Sequence, residues 1–317
     1  MHKFLVTGGA GFIGSHIVER LLKDEHSVCV LDNFSSGKEE NLSFIGTNPL
    51  YAKRYTLIKG DICNYDDCLK AARGMDYCLH QAALRSVPKS LLNPYDYNRV
   101  NIDGILNMLR ASHEVGVKRF VFASSSSVYG DTDVFPQKEE HLPRLISPYA
   151  LTKLAGEYYC RIFSMNYGLE TVSLRYFNVF GPRQALDDEY AVVIPRFITN
   201  MLKDMPAPVH GDGRQSRDFT YIDNVVEANI LAALAPDVKC EVFNVAIGRD
   251  NSILELVNTL NKIMGKEIKP VFEPARIGDV RRTLADIRRI KKAINYRPRV
   301  DFEEGLRRTV DWFKIKT

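Results

Sequence analysis

Through the first half of the chain, short apolar runs alternate with longer stretches whose apolar positions recur every three or four residues. Phe4-Leu5-Val6, Val28 to Leu31, Tyr55 to Lys59, Tyr77 to His80, Arg119 to Ala123 and Thr171 to Leu174 read as strands. Between them, Ile13 to Lys23 places Ile17, Val18, Leu21 and Leu22 on one side of a helix. Tyr65 to Ala72 is also helical, and a longer helix is expected from Tyr95 to Val115. Strands alternating with helices imply right-handed βαβ units, hence a doubly wound parallel sheet of the α/β class with both faces covered.

After Leu174 the rhythm changes. Pro182, Pro195, Pro206 and Pro208 punctuate shorter segments, and Gly211, Gly213 and Gly248 mark loops. The expected division is a nucleotide-binding domain over 1–180 and a smaller C-terminal lobe, mainly substrate-binding, over 181–317, with later strands free to rejoin the sheet. The 317 residues are 45% hydrophobic, which excludes disorder. Lys+Arg (43) and Asp+Glu (39) nearly balance along the chain, so no nucleic-acid partner is expected; Arg281, Arg282, Arg288 and Arg289 read as a solvated face. No run approaches the roughly 18 apolar residues of a membrane span. Met1 to Thr7 lead straight into a glycine motif, leaving no room for a signal peptide, so the expectation is a cytoplasmic chain. Six cysteines without a CxxC pair argue against zinc or a disulfide framework, and no metal is expected.

That glycine motif is Gly8-Gly9-Ala10-Gly11-Phe12-Ile13-Gly14, between the first strand and first helix. Gly8 permits the tight turn, Gly11 admits a pyrophosphate to the backbone, and Gly14 lets helix and strand pack closely, the Rossmann-type arrangement for a dinucleotide. Asp32 ends the second strand, where a carboxylate accepts both adenosine ribose hydroxyls and repels a 2′-phosphate. Asn33-Phe34-Ser35-Ser36 supplies no arginine to offset that repulsion, so the cofactor reads as NAD. Asp61 ends the third strand, where it either reaches the adenine or caps the next helix.

A second constellation is Ser147-Pro148-Tyr149-Ala150-Leu151-Thr152-Lys153, with Pro148 placed to start a helix. Tyr149 and Lys153, at i and i+4, share a face. An ammonium and an oxidised nicotinamide ring both favour phenolate, which makes Tyr149 a usable base. Upstream, Ser124-Ser125-Ser126-Ser127 closes a strand predicted to be buried, a poor packing choice unless the hydroxyls have polar partners.

Together these motifs resemble the extended short-chain dehydrogenase/reductases over nearly the whole chain, and within them the nucleotide-sugar 4-epimerases, closest to UDP-N-acetylglucosamine 4-epimerases. The resemblance rests also on Leu79-His80-Gln81-Ala82-Ala83, Ser86-Val87-Pro88, Leu174 to Arg183, Ser216-Arg217-Asp218-Phe219 and Gly278-Asp279-Val280. It implies that Ser125, Tyr149 and Lys153 are catalytic. It places Phe12, Ile13, Asn33, Ser35, Gly37, Ile62, Gln81, Ala82, Ala83, Asn101, Ser124, Tyr176 and Val179 along NAD, beside the glycines, Asp32 and Asp61. Around a UDP-sugar it places Ser86, Ser125, Ser126, Asn178, Val193 and Thr283, with Arg217 and Arg276 on the diphosphate and Asp279 on the uridine ribose. The implied reaction is reversible C4 epimerisation through a 4-keto sugar, by a homodimer whose helices near Tyr95 to Val115 and Tyr149 to Tyr167 pair across a two-fold axis.

Related 4,6-dehydratases and decarboxylases carry acids where this chain has Ser126 and Ser127, which argues against both. Thr283 stands where epimerases that exclude N-acetyl sugars often carry tyrosine. A small residue leaves room for an acetamido group, so UDP-GlcNAc/UDP-GalNAc is preferred, with UDP-glucose and UDP-galactose tolerated. UDP-glucuronate and UDP-glucose 4-epimerases remain alternatives, as does an NAD-binding regulator without catalysis.

Overall fold

The computed structural model describes residues 1–185, 193–275 and 280–316. Seven strands make the central sheet: β1 (Lys3–Thr7), β2 (Ser27–Asp32), β3 (Tyr55–Lys59), β4 (Tyr77–His80), β5 (Arg119–Ser125), β6 (Glu170–Tyr176) and β7 (Glu241–Val245). Every neighbouring pair is parallel, in the order β3-β2-β1-β4-β5-β6-β7. The helices that matter for the site are α1 (Phe12–Lys23), α2 (Tyr65–Ala72), α3 (Gly104–Glu114), α4 (Pro148–Tyr167), α5 (Val193–Leu202), α6 (Ile222–Leu234), α7 (Ile253–Met264) and α8 (Phe302–Lys316).

Side chains alternate across a strand, and here both sets are apolar. Phe4, Val6, Val28 and Val30 pack with Ile17, Val18 and Leu21 of α1 and Val225 of α6. One residue out of step, Leu5, Cys29, Leu31, Phe120 and Phe122 pack with Cys68 of α2, Met108 of α3 and Cys160 of α4. The sheet is therefore doubly wound, a Rossmann-type α/β fold, as its hydrophobic runs imply. All six thiols are free.

The long helix expected from Tyr95 starts at Pro94 but is interrupted by a π-helical turn over Arg99–Asp103 before α3 begins. π turns inside helices often sit at functional sites. This one carries Asn101. From residue 222 onward the chain returns to the sheet, adding α6 and then β7 along β6. Beyond it, α5, α7 and α8 pack on one another, beside the short strand pairs Pro208–His210 with Val271–Glu273 and Ser216–Arg217 with Asn251–Ser252. Arg282, Arg288 and Arg289 pair at the surface with Asp250, Asp286 and Glu241. No helix among the described residues is long and apolar enough to cross a membrane.

Candidate active site

The strand order reverses between β1 and β4, and the crevice at such a switch point is where open α/β sheets bind ligands. A cleft of about 510 Å³ opens there, over the N-terminus of α1. The local sequence builds it by omission. Gly8 has φ +66°, and a Cβ on it would lie 2.8 Å from the Ala82 nitrogen; a Cβ on Gly14 would lie 2.1 Å from the Gly8 carbonyl oxygen. No side chain caps α1 at Gly11, and its first turn holds no acid, so its N–H groups and partial positive charge face the cleft unspent.

Asp32 is buried with Oδ2 accepting the Ala10 N–H at 2.9 Å and Oδ1 the Phe34 N–H at 2.8 Å. Each oxygen keeps a lone pair for a ribose hydroxyl. Burial works against the charge of Asp61, but the Cys63 N–H and the Asn33 amide hold its carboxyl below the usual range. An uncapped helix start, a glycine turn and a buried carboxylate at the end of β2 fit an NAD pyrophosphate and adenosine ribose.

The far end of the cleft carries the reactive groups. Ser147 caps α4, accepting the Ala150 N–H at 3.2 Å, and Pro148 opens its first turn, so Tyr149 and Lys153 fall one turn apart under β5. Lys153 Nζ donates to the Ala123 carbonyl at 2.8 Å and lies 5.8 Å from the Tyr149 ring centre. Burial lowers Lys153 to about 7. It also pushes Tyr149 above the usual tyrosine range, against the Ser125 hydrogen bond and the Arg85 charge. In the chain alone, then, burial favours the neutral form of both; the ionised phenol was expected with a positive nicotinamide ring present. His80, stacked on Phe122, is lowered to about 3 by burial and by Lys153, so it adds no competing charge.

Three of the four serines have partners within the protein. Ser125 Oγ accepts the Ser127 N–H at 3.1 Å and the Ser127 hydroxyl at 2.9 Å, which leaves its own proton for Tyr149. Ser124 donates to Glu157 of α4.

A second cavity, about 590 Å³, adjoins the cleft toward the C-terminal elements. Phe12, Ile13, Arg85, Ser124, Tyr149, Tyr176 and Gln184 line both, so Tyr149 stands at their junction. No carboxylate lines this second cavity among the described residues. Asn178 Nδ2 donates to Thr283 Oγ1 at 2.8 Å and to the Asp218 carbonyl at 3.3 Å. Asp218 itself is fully buried, binding the N–H groups of Ile247, Gly248 and Ala285 and so tying the Arg217 segment to β7 and the Thr283 segment.

Of the residues expected to line NAD, Gly8, Gly11, Phe12, Ile13, Gly14, Asp32, Asn33, Ser35, Gly37, Asp61, Ile62, Gln81, Ala82, Ala83, Ser124, Tyr149, Lys153 and Tyr176 are on the first cleft wall. Val179 lies on the second cavity instead. Asn101 is on neither wall: it is buried in the π turn, bonding both backbone groups of Leu84 and the Thr152 hydroxyl, so it braces the loop after β4. Ser86, Ser125, Ser126, Asn178, Val193, Arg217 and Thr283 line the second cavity with Tyr149. Arg276 and Asp279 lie outside the described residues. Sequence reasoning missed Asn229 of α6, which joins Tyr176 and Gln81 in one buried hydrogen-bonded set.

Residues 4–246 match the NAD dependent epimerase/dehydratase family. Among solved structures, the chain is similar to a UDP-N-acetylglucosamine 4-epimerase from Methanobrevibacter ruminantium in complex with UDP-N-acetylmuramic acid, with TM-score 0.94, 42% identity, and 100% and 99% of the two chains covered. It is also similar to the UDP-glucose 4-epimerase of Thermotoga maritima with UDP-glucose, with TM-score 0.92, 38% identity and 99% of each chain covered. A UDP-glucuronate 4-epimerase of Thermodesulfobacterium geofontis is 36% identical, over 99% of this chain and 97% of its own.

Proposed function

We propose that this chain, which belongs to the NAD-dependent epimerase/dehydratase family, is a UDP-sugar 4-epimerase whose preferred pair is UDP-GlcNAc and UDP-GalNAc. The glycine turn, Asp32 and the start of α1 would hold NAD in the first cleft, where it would supply a reversible hydride acceptor for the sugar C4. The chain's own part is proton transfer and orientation. Tyr149, between the two cavities, takes the proton of the 4-hydroxyl and later restores it on the other face, and Ser125 donates to the same oxygen. Lys153 below the phenol favours its ionised form once it carries charge. Arg217, and Arg276 with Asp279 if they follow the resemblance, hold the UDP end while the sugar turns. The lack of a carboxylate on the second cavity's wall among the described residues, with Ser126 and Ser127 where the dehydratases and decarboxylases carry acids, supports epimerisation over dehydration or decarboxylation, which need a further acid.

The observation that carries the choice of sugar is the pairing of Asn178 with Thr283. With Nδ2 spent on the Asp218 carbonyl and on Thr283, Asn178 is left with a carbonyl oxygen for the pocket. Thr283 Oγ1 accepts from Asn178 and from the Asp218 N–H at 3.3 Å, so its O–H is left to donate. An acceptor beside a donor is the complement of a secondary amide. A missing partner in a site built for it costs more than a missing methyl.

Thr283→Val, nearly the same size, is expected to lower kcat/KM for UDP-GlcNAc about tenfold while leaving UDP-glucose within twofold; Thr283→Ser keeps both. NMR of the sugar products from UDP-GlcNAc, UDP-glucose and UDP-glucuronate, run side by side without added reductant, tests the reading. Preference for UDP-glucuronate or UDP-glucose overturns the sugar, and tight NAD binding without turnover leaves a regulator.

We further propose a homodimer formed through α4 and the helical segment before the π turn. Tyr95, Tyr158 and Met165 expose more than half of their surfaces there, whereas Leu154 and Phe163 of α4 turn into the core. Light scattering should give twice the mass of the 36.0 kDa chain; a monomer contradicts it.

A further inference from the structure

Glu157 is the third residue of a stripe on α4: Tyr149, Lys153 and Glu157 are spaced four apart and face the sheet. Its carboxylate is buried, 5% exposed, and every partner is identifiable. Oε1 accepts from the Ser124 hydroxyl and from Arg175 Nε at 2.9 Å; Oε2 accepts from Arg175 Nη2 at 2.8 Å. Arg175 sits directly across from Ser124 in the β5–β6 register, so one carboxylate grips the ends of two adjacent strands. The guanidinium reaches on to the Glu139 carbonyl at 3.2 Å and stacks 4.8 Å from the Tyr129 ring centre. Tyr129 in turn bonds Asn244 of β7 at 2.6 Å. Burial disfavours a charged Arg175, but the hydrogen bonds and charge of Glu157 outweigh it and raise its pKa.

The proton of Ser124 is committed to Glu157, so toward the cleft this serine offers lone pairs only. Its chain neighbour is Ser125. We propose that Glu157 is a positioning residue of the epimerase: paired with Arg175, it sets the Ser124 hydroxyl rotor and holds the end of β5 on α4, so that Ser125 meets Tyr149. It touches neither substrate nor cofactor. A buried pair broken on one side is destabilising, whereas removing both charges with similar volumes is often tolerated. That contrast separates fold from function.

Glu157→Gln should lower Tm, because Arg175 is left with an unpaired charge. The double variant Glu157→Met with Arg175→Met should recover Tm, since no buried charge remains, while leaving the Ser124 hydroxyl without its acceptor. If Glu157 positions the serines, kcat of the double variant stays at least tenfold below the unsubstituted enzyme while KM for the UDP-sugar stays within twofold. The Kd for NAD, measured by equilibrium dialysis, rises at least threefold because the Ser124 rotor is released. Recovery of kcat together with Tm would reduce the pair to packing, and a KM rise with kcat kept would place it on substrate binding; either overturns the proposal. An unchanged NAD Kd removes the Ser124 part. Failure of the unsubstituted enzyme on every UDP-sugar would count against the epimerase reading instead.

Discussion

Tyr149→Phe is expected to lower kcat about 10³-fold, within the range that one positioned proton carrier supplies, while NAD and UDP-sugar affinities stay within a few-fold. The ring does not depend on its hydroxyl for its place. It packs edge-on against Tyr97, with centroids 6.4 Å apart, and its backbone carbonyl takes the Thr152 hydroxyl at 2.9 Å. Phenylalanine keeps that packing and loses only the hydroxyl proposed to exchange a proton with the 4-hydroxyl. Single-turnover NMR with calorimetric titration of both ligands checks this. More than a tenth of the activity remaining would mean that another group, with Ser125 the first candidate, carries the proton.

Lys153→Met should separate stability from activity. The lysine is fully buried, and lowering its pKa from 10.5 to about 7 corresponds to at most about 5 kcal/mol of stability given up at neutral pH. The sign follows from the proton count. Below about pH 7 the folded and unfolded chains both hold the proton, and folding bears the whole cost of burying an ammonium. Between about 7 and 10.5 the folded chain has released the proton and the unfolded chain has not, so stability rises with pH across that window. Methionine removes the charge at similar volume, at the loss of the bond to the Ala123 carbonyl. In the coenzyme-free protein, Lys153→Met should therefore raise Tm by several degrees at pH 7 and flatten its rise toward pH 10. It should also lower kcat about 100-fold or more, because no cation remains beneath the phenol. A Tm that falls at pH 7 would show that the ammonium is not costly where it lies.

The strands β1, β2, β4, β5 and β6 were legible because each is buried on two faces, which leaves short apolar runs of unmistakable length; β3, the half-exposed edge strand, showed through its apolar and β-branched residues alone. β7 was not. Its Asn244 is fully buried yet polar, bonded to Tyr129 and to the Gln137 and Asp286 carbonyls, and that breaks the apolar run. The π turn at Arg99–Asp103 left no trace in the periodicity of Tyr95 to Val115, because one slipped turn hardly alters which residues are apolar. At the site, glycines and the Tyr149–Lys153 spacing were readable because each encodes a local geometry. Glu157 has the same kind of spacing, but a helical glutamate is ordinarily solvated. Only the register that sets Arg175 opposite Ser124 gives it a role. Asn101, expected beside the cofactor, is held in the π turn by both backbone groups of Leu84 and braces the loop after β4, a contact no sequence spacing announces.

The account turns on C4 losing and regaining the same hydrogen within one closed site. UDP-GlcNAc carrying deuterium at C4 should give UDP-GalNAc with the label still at C4, undiluted by solvent, and with no net reduction of NAD. Deuterium lost to water, or product that appears only as NADH accumulates, would contradict it.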